Sequence, residues 1–254
     1  METAKHTPGY FVWRELGTTD IDAATRFYSE VCGWRIERKD MDGMGYWLLH
    51  AGDKQVGGMY SLPKQAPQIA YWCGYVSVES VDGAMERAKA AGATVLMGPM
   101  DVPSIGRMGQ IRDPQGAFIA LYHDKKGDAA PGMPGLGEFC WEQLNTPDPT
   151  ASKAFYTKAV GWGVVPFPGG GDMEVLTTNQ GQAQVASVMK APPGAPAHWL
   201  TYVAVDNLAA VRARVTRGGG KILVERIDVP TVGAISIATD PQGAAIGFFE
   251  APKG

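Results

Sequence analysis

The amino-acid sequence predicts an α+β protein made of two tandem copies of one module, with mixed sheets rather than a doubly wound parallel sheet. Three observations predict it. The second half repeats the first in register, and strand-like runs outnumber helical ones within each copy. In addition, 33 glycines and 18 prolines punctuate those runs without collecting into low-complexity tracts, as many short strands and tight turns require.

The repeat is direct. Residues 11–34 read FVWRELGTTDIDAATRFYSEVCGW and residues 139–162 read FCWEQLNTPDPTASKAFYTKAVGW, with ten of 24 positions identical at an offset of 128. Further on, Trp72 and Tyr75 match Trp199 and Tyr202, Gly92 matches Gly219, and DPQGA at 113–117 matches 240–244, all at an offset of 127. A loop shortened by one residue accounts for the change of offset. The division expected is a first module over 1–125, a linker over 126–136 and a second module over 137–254. The Gly-, Pro- and charge-rich stretch 123–139 marks the joint.

Each copy spells the same order of elements. A strand (10–17, 138–145) runs to a helix start capped by Asp20 or Asp148. In the helix, Ala24, Phe27, Tyr28 and Val31 recur at helical spacing, and Gly33 or Gly161 stops it. Strand-like runs follow at 45–50 and 55–60, answered by 173–178 and 183–189. YWCGYVSV (71–78) or HWLTYVAV (198–205) is a further strand leading into a second helix, 80–91 or 207–217. That helix ends at Gly92 or the 218–220 glycines, and two closing strands flank a DPQG turn.

Bulk properties exclude several classes. The 254 residues suit one large domain or two ordinary ones, and 45% hydrophobic with 19% charged residues suits a globular core. A net charge of −3 offers no field for a nucleic-acid backbone. The start METAKHTPGYFVW lacks the apolar core of a signal peptide, and no run of apolar residues is long enough to span a bilayer. Cys32, Cys73 and Cys140 form neither a CxxC motif nor an even disulfide set, so a reducing cytoplasm is the compartment expected. GGMY at 57–60 and GGG at 169–171 and 218–220 lack a P-loop lysine and a dinucleotide fingerprint. No GxSxG elbow or Cys–His nucleophile pair is legible either.

The run Leu16-x-Thr18-x-Asp20…Phe27-Tyr28…Gly33-Trp34, its second copy and the two DPQG turns resemble the vicinal-oxygen-chelate (VOC) superfamily. That superfamily includes glyoxalases, bleomycin-resistance proteins, extradiol dioxygenases and fosfomycin-modifying enzymes. The resemblance implies two tandem βαβββ-type modules forming a curved mixed sheet around a cleft. It also implies a divalent metal held by His, Gln and Glu, placed seven residues before the capping Asp and seven after the Asp of the turn. Those positions here are Trp13, Ala120, Trp141 and Gly247, none of them a metal ligand. No cofactor is therefore expected.

Alternation along the first strand puts Glu15 and Gln143 on the same face as Trp13 and Trp141. A carboxylate beside an indole is partly desolvated and suited to general acid–base work, so Glu15 is the candidate catalytic residue. The alternative is a structural carboxylate paired with an arginine, Arg107 being the candidate. Trp13 and Trp141 are candidate walls of an aromatic pocket, or else fill a vacant cleft; Trp72 and Trp199 either line the same space or pack under it. Trp34 and Trp162 belong in the core, and Trp47 has no counterpart. Arg107, where the second copy has Ala234, is a candidate anion holder or a solvated loop charge. His50 either faces the cleft or ends an exposed strand; His6 is expected in a loose terminus, and His123 and His198 are expected to face solvent.

Three functions follow for a monomer or homodimer acting on a small molecule. One is metal-free binding of a hydrophobic or aromatic molecule, and the second is a metal-independent lyase, isomerase or hydroxylase-like enzyme with Glu15 as base. In that enzyme Gln143 or Arg107 would orient the substrate's oxygens. The third is a metal-dependent glyoxalase or extradiol dioxygenase whose ligands have moved to Glu15 and a histidine.

Overall fold

The computed structural model describes residues 5–41, 43–128, 132–167, 173–178, 181 and 183–252. Linker residues 129–131 and the glycine run 169–171 lie outside the described residues. The fold is α+β, and each copy holds the order βαβββ twice.

In the first copy the halves are β1 (Phe11–Thr18), α1 (Ile21–Cys32), β2 (Arg35–Met41), β3 (Met44–Ala51), β4 (Lys54–Ser61), then β5 (Tyr71–Ser77), α2 (Val81–Ala90), β6 (Thr94–Val102), β7 (Gly106–Arg112), β8 (Phe118–Asp124). The second copy answers with β9 (Phe139–Thr146), α3 (Pro149–Val160), β10 (Gly163–Pro166), β11 (Glu174–Thr178), β12 (Ala183–Lys190). Its second half is β13 (His198–Val205), α4 (Leu208–Arg217), β14 (Lys221–Val229), β15 (Gly233–Thr239), β16 (Ala245–Glu250).

Each copy lays down one eight-stranded sheet, ordered β2-β3-β4-β1-β5-β8-β7-β6 and β10-β11-β12-β9-β13-β16-β15-β14. Strands β1 and β4 run parallel, as do β5 and β8, while the hairpins are antiparallel. Four strands escaped the sequence reading: β2, β6, β10 and β14. All four are sheet edges. With little of either face buried, RIERKDM and KILVERIDV carry charge instead of a clean apolar alternation.

Helix ends are set by the residues the sequence pointed to. The Asp20 carboxylate accepts from Ala23 N at 2.9 Å, and Asp148 accepts from Ala151 N at 3.0 Å. Gly33 (φ 71°) and Gly161 (φ 88°) then take the left-handed conformation that ends α1 and α3.

Packing does not follow the repeat. One compact unit comprises Met1–Val12, Gly74–Gly132 and Glu142–Trp199; the other comprises Trp13–Cys73, Met133–Trp141 and Leu200–Gly254. In the first, α2 packs on α3 over a core including Met85, Ile111, Ile119, Leu144 and Phe155. In the second, α1 packs on α4 over Leu16, Phe27, Leu49, Met59 and Phe248. Each core therefore draws on both copies, although each sheet belongs to one.

The same three-residue chain runs through each core. In one unit Trp72 Nε1 donates to the Tyr28 hydroxyl at 2.9 Å, and that hydroxyl donates to Asp240 Oδ2 at 3.1 Å. In the other, Trp199 Nε1 donates to Tyr156 at 2.9 Å, and Tyr156 donates to Asp113 Oδ2 at 3.0 Å. The other carboxylate oxygen of each Asp closes its own DPQG turn, as where Asp113 Oδ1 accepts from the amides of Gln115, Gly116 and Ala117. Burial pushes both carboxyls, and the Tyr28 phenol, upward. The Gly-Trp tryptophans make reciprocal bonds too: Trp34 Nε1 donates to Gly137 O at 2.7 Å and Trp162 Nε1 to Gly9 O at 2.8 Å. Among the described residues, no helix is long and apolar enough to cross a membrane.

Removing one of these hydroxyls strands a buried indole N–H and a buried carboxylate. Tyr28→Phe and Tyr156→Phe should each lose about 2–4 kcal/mol in urea denaturation. A loss below about 0.5 kcal/mol, the scale of an ordinary surface change, would show that the chains are not structural.

Candidate functional site

Along β1, Leu16 turns into the core with Leu49 and Met59, under α1. Pleating sends Trp13, Glu15 and Gly17 to the opposite face. Parallel pairing sets Glu15 beside Gly58 and Gly17 beside Tyr60 on β4. The register of β3 on β4, with Trp47 opposite Met59, puts Tyr46 on that face too.

Trp13 Nε1 donates to the Tyr46 hydroxyl at 3.0 Å, and Tyr46 donates to Glu15 Oε1 at 2.7 Å. This is the Trp–Tyr–carboxylate chain of the cores, built a third time on a half-buried face. Glycine at 58 makes it fit: a Cβ there would lie 1.9 Å from the Tyr46 hydroxyl. Beside it the hydroxyls of Tyr60 and Tyr71 stand 3.0 Å apart. Burial, then the Glu15 charge, pushes the Tyr46 phenol well above its ordinary range. Tyr60 and Tyr71 are also raised, by burial first and with Glu15 among the further causes. Three phenols that keep their protons thus surround one carboxylate, with the indole of Trp13 alongside.

The second copy diverges at each of these places. Pairing of β12 on β9 sets Ser187 beside Gln143 and Met189 beside Asn145, so Gln143 stands for Glu15, Asn145 for Gly17 and Met189 for Tyr60. Gln143 Nε2 donates to Asn145 Oδ1 at 2.8 Å, and Asn145 Nδ2 lies 3.3 Å from His198 Nε2. Here an amide stands in place of the carboxylate.

Other predicted residues fall elsewhere. Of the two places left open for Trp72 and Trp199, the structure gives the core and not the pocket wall: their indole nitrogens are spent on Tyr28 and Tyr156. Arg107 is gripped by Asp82 at 2.6 and 2.8 Å and by Asp101 at 3.0 Å, so its charge is already answered locally. His50 is buried rather than exposed, with Nε2 3.6 Å from Glu37 Oε2. His6 and His123 are half-buried, the first held in place instead of lying in a loose terminus: their rings stack at 4.0 Å, beside Asp128. Tyr46, Tyr60, Tyr71 and Asn145 were missed. The available signal was the repeat itself, since Gly17 opposite Asn145 and Tyr71 opposite His198 are substitutions that change chemistry. Glu142, buried beside Gln143 on the opposite face, was missed as well.

A sequence model of the Glyoxalase/Bleomycin resistance protein/Dioxygenase superfamily matches residues 9–121 and 137–248, which take in both sheets and both DPQG turns. The chain belongs to this superfamily. Among VOC relatives, CFP32 of Mycobacterium tuberculosis, which carries a glyoxylase designation, is 33% identical over 245 residues, covering 94% of this chain and 93% of that one. The anthracycline biosynthesis protein DauV of Streptomyces sp. strain C5 is 26% identical over 277 residues, covering 97% and 94%. The Mn(II)-bound glyoxalase from Novosphingobium aromaticivorans superposes with a TM-score of 0.65 at 18% identity, over 96% of this chain and 82% of that one.

That VOC neighbour's metal invites a test of fit. Trp13, Ala120, Trp141 and Gly247 offer no donor atoms. At Gly247 a Cβ would lie 2.3 Å from the Tyr202 ring, so an aromatic side chain covers that position, as Tyr46 covers Gly58. Among the described residues no three His, Cys, Asp or Glu side chains are placed to hold an ion. These positions do not fit the superfamily's His/Gln/Glu set.

Glu15→Gln removes the negative charge beside Tyr46. By 13C-tyrosine NMR the Tyr46 phenol should then titrate at lower pH than in the parent protein. An unmoved titration would mean that the carboxylate does not govern the cluster.

Proposed function

We propose that this VOC protein binds a small aromatic molecule carrying a hydroxyl group on the β1–β3–β4 face of the first copy, without a metal. The observation that carries the reading is the Trp13–Tyr46–Glu15 chain, flanked by Tyr60 and Tyr71. Rigid aromatic side chains supply contact area at little cost in conformational entropy. A carboxylate has about four lone-pair sites and so can accept from more than one donor. A ligand hydroxyl would take one of them, and its ring would lie against the indole of Trp13. DauV's name places that relative in the biosynthesis of anthracyclines, which are polycyclic hydroxylated aromatics, and this agrees with the ligand class.

A second reading makes the same carboxylate a general base in a metal-independent lyase or isomerase. It is favoured by the divergence of the copies: Glu15 is held by a phenol in one, and Gln143 replaces it in the other. In such a reaction Glu15 would take a proton from carbon, and the Tyr60–Tyr71 pair would donate to the developing oxyanion.

Tryptophan fluorescence on titration with a series of phenols separates the outcomes. Phenols should quench Trp13, and Glu15→Gln should weaken a hydroxylated ring by about tenfold while leaving the unsubstituted ring nearly unchanged. A flat response across the series, or equal loss for both rings, would sink the binding reading. Deuterium exchange into a bound ketone that vanishes in Glu15→Gln would establish the enzymatic one.

A further inference from the structure

The phenol of Tyr46 makes the bonds that a hydroxylated ring would make on this face. Its hydroxyl donates to Glu15 Oε1 at 2.7 Å and accepts from Trp13 Nε1 at 3.0 Å. The tip of its ring lies in a notch above Gly58, where an added Cβ would come within 1.9 Å of the hydroxyl oxygen and 2.3 Å of Cζ. A side chain of the protein thus fills the place where a phenol meets the carboxylate. In the second copy Met173 stands for Tyr46, Ser187 for Gly58 and Gln143 for Glu15, because β11 and β3 share their register on β12 and β4. Phenol, notch glycine and carboxylate are present together in one copy and replaced together in the other.

Tyr46 is held less firmly than the tyrosines of the two cores. Tyr28 and Tyr156 stand on helices and are fully buried. Tyr46 is half-buried and stands on β3, whose outer neighbour β2 is the sheet edge. Just before it, Gly43 (φ 84°) and Gly45 bracket Met44, which is 72% exposed. Turning this ring outward gives up its two hydrogen bonds without opening a core. A ligand hydroxyl must nevertheless displace a phenol tethered beside Glu15 and so present at high effective concentration. It succeeds by giving the carboxylate a stronger bond, and a hydrogen bond to an ionised acceptor strengthens as its donor becomes more acidic. The gain ends where the donor loses its proton, since a phenolate meets Glu15 as a like charge. Lys39, opposite Tyr46 on β2, does not offset that repulsion, because its ammonium pairs with Glu37.

We infer that Tyr46 is an internal stand-in for the ligand, and that the ligand is a phenol more acidic than tyrosine, still protonated on arrival, whose hydroxyl takes the place of Tyr46 on Glu15. This rests on the reading of the Glu15 face as a phenol site, and adds which phenols it takes and what they displace. On binding, the Tyr46 hydroxyl is released to solvent.

Full-length protein labelled with 13C-tyrosine reports the displacement, the Tyr46 signal being the one lost in Tyr46→Phe. In mildly acidic buffer 4-cyanophenol, an acidic phenol that keeps its proton there, should move the Tyr46 Cζ signal to the position of a solvent-exposed tyrosine along a saturating curve. It should bind about tenfold more tightly than 4-methylphenol, which is the tyrosine side chain itself, and about tenfold more tightly than the ionised 2,4-dinitrophenol. Tyr46→Phe, whose ring cannot bond Glu15, should bind 4-cyanophenol about tenfold more tightly than the parent by tryptophan fluorescence. A Tyr46 signal that keeps its position when 4-cyanophenol saturates the protein, equal affinity for 4-cyanophenol and 4-methylphenol, or equal or weaker binding in Tyr46→Phe would each overturn the inference while leaving phenol binding at Glu15 in place. Absence of binding by every phenol, in the parent and in Tyr46→Phe alike, would overturn both. The acidity series is read in the parent alone, so it decides the matter even if Tyr46→Phe folds poorly.

Discussion

The hydrogen-bonded chain from tryptophan through tyrosine to aspartate is the constraint on which the rest depends. A buried carboxylate is costly unless its oxygens are answered, and Asp113 and Asp240 are answered on two sides. One oxygen closes a DPQG turn and fixes the approach to a central strand; the other takes the hydroxyl of a helix from the opposite copy. Turn, helix and strand are thereby set against one another by a single side chain. The faces of β1 and β9 are placed by the same contact, because Leu16 and Leu144 pack into the cores these chains run through.

Much of the architecture was legible. The Phe-Tyr and Gly-Trp pairs and the DPQG turns are the motifs by which the repeat announces itself, and each proves to be one end of a bond that spans the copies. The helix caps and stops were readable because capping needs a particular residue at a particular place. What the sequence concealed was pairing over distance. Nothing local to Tyr28 says that its acceptor is Asp240, 212 residues on. The edge strands were hidden for a different reason, since a strand with little buried face carries no alternation to detect.

Of the site, the strand-borne half was visible and the rest was not. Alternation along one strand was enough to align Trp13 with Glu15 and Trp141 with Gln143. The groups that answer them arrive from neighbouring strands, where register decides the contact. Tyr46 reaches Glu15 only because Gly58 leaves room for it, and a glycine in a strand carries no label saying what will cover it. Trp72 and Trp199 stayed open between pocket and core for the converse reason: an indole in a strand looks alike whether its nitrogen faces a ligand or a buried phenol.

The crossed bonds also bear on how two alike halves came to differ. A half-length chain would have to find its tyrosine or its aspartate on a second molecule, at whatever concentration that molecule happened to have. Tethered in one polypeptide, the partner is always present at high effective concentration, so the contact no longer requires two identical molecules. Identity of the halves is then no longer enforced. In a symmetric pair every substitution appears twice and must be tolerated at both faces, whereas here Glu15 and Gln143 could part company one mutation at a time. Fusion keeps the shared cores under common constraint and releases the two outward faces to evolve as separate surfaces.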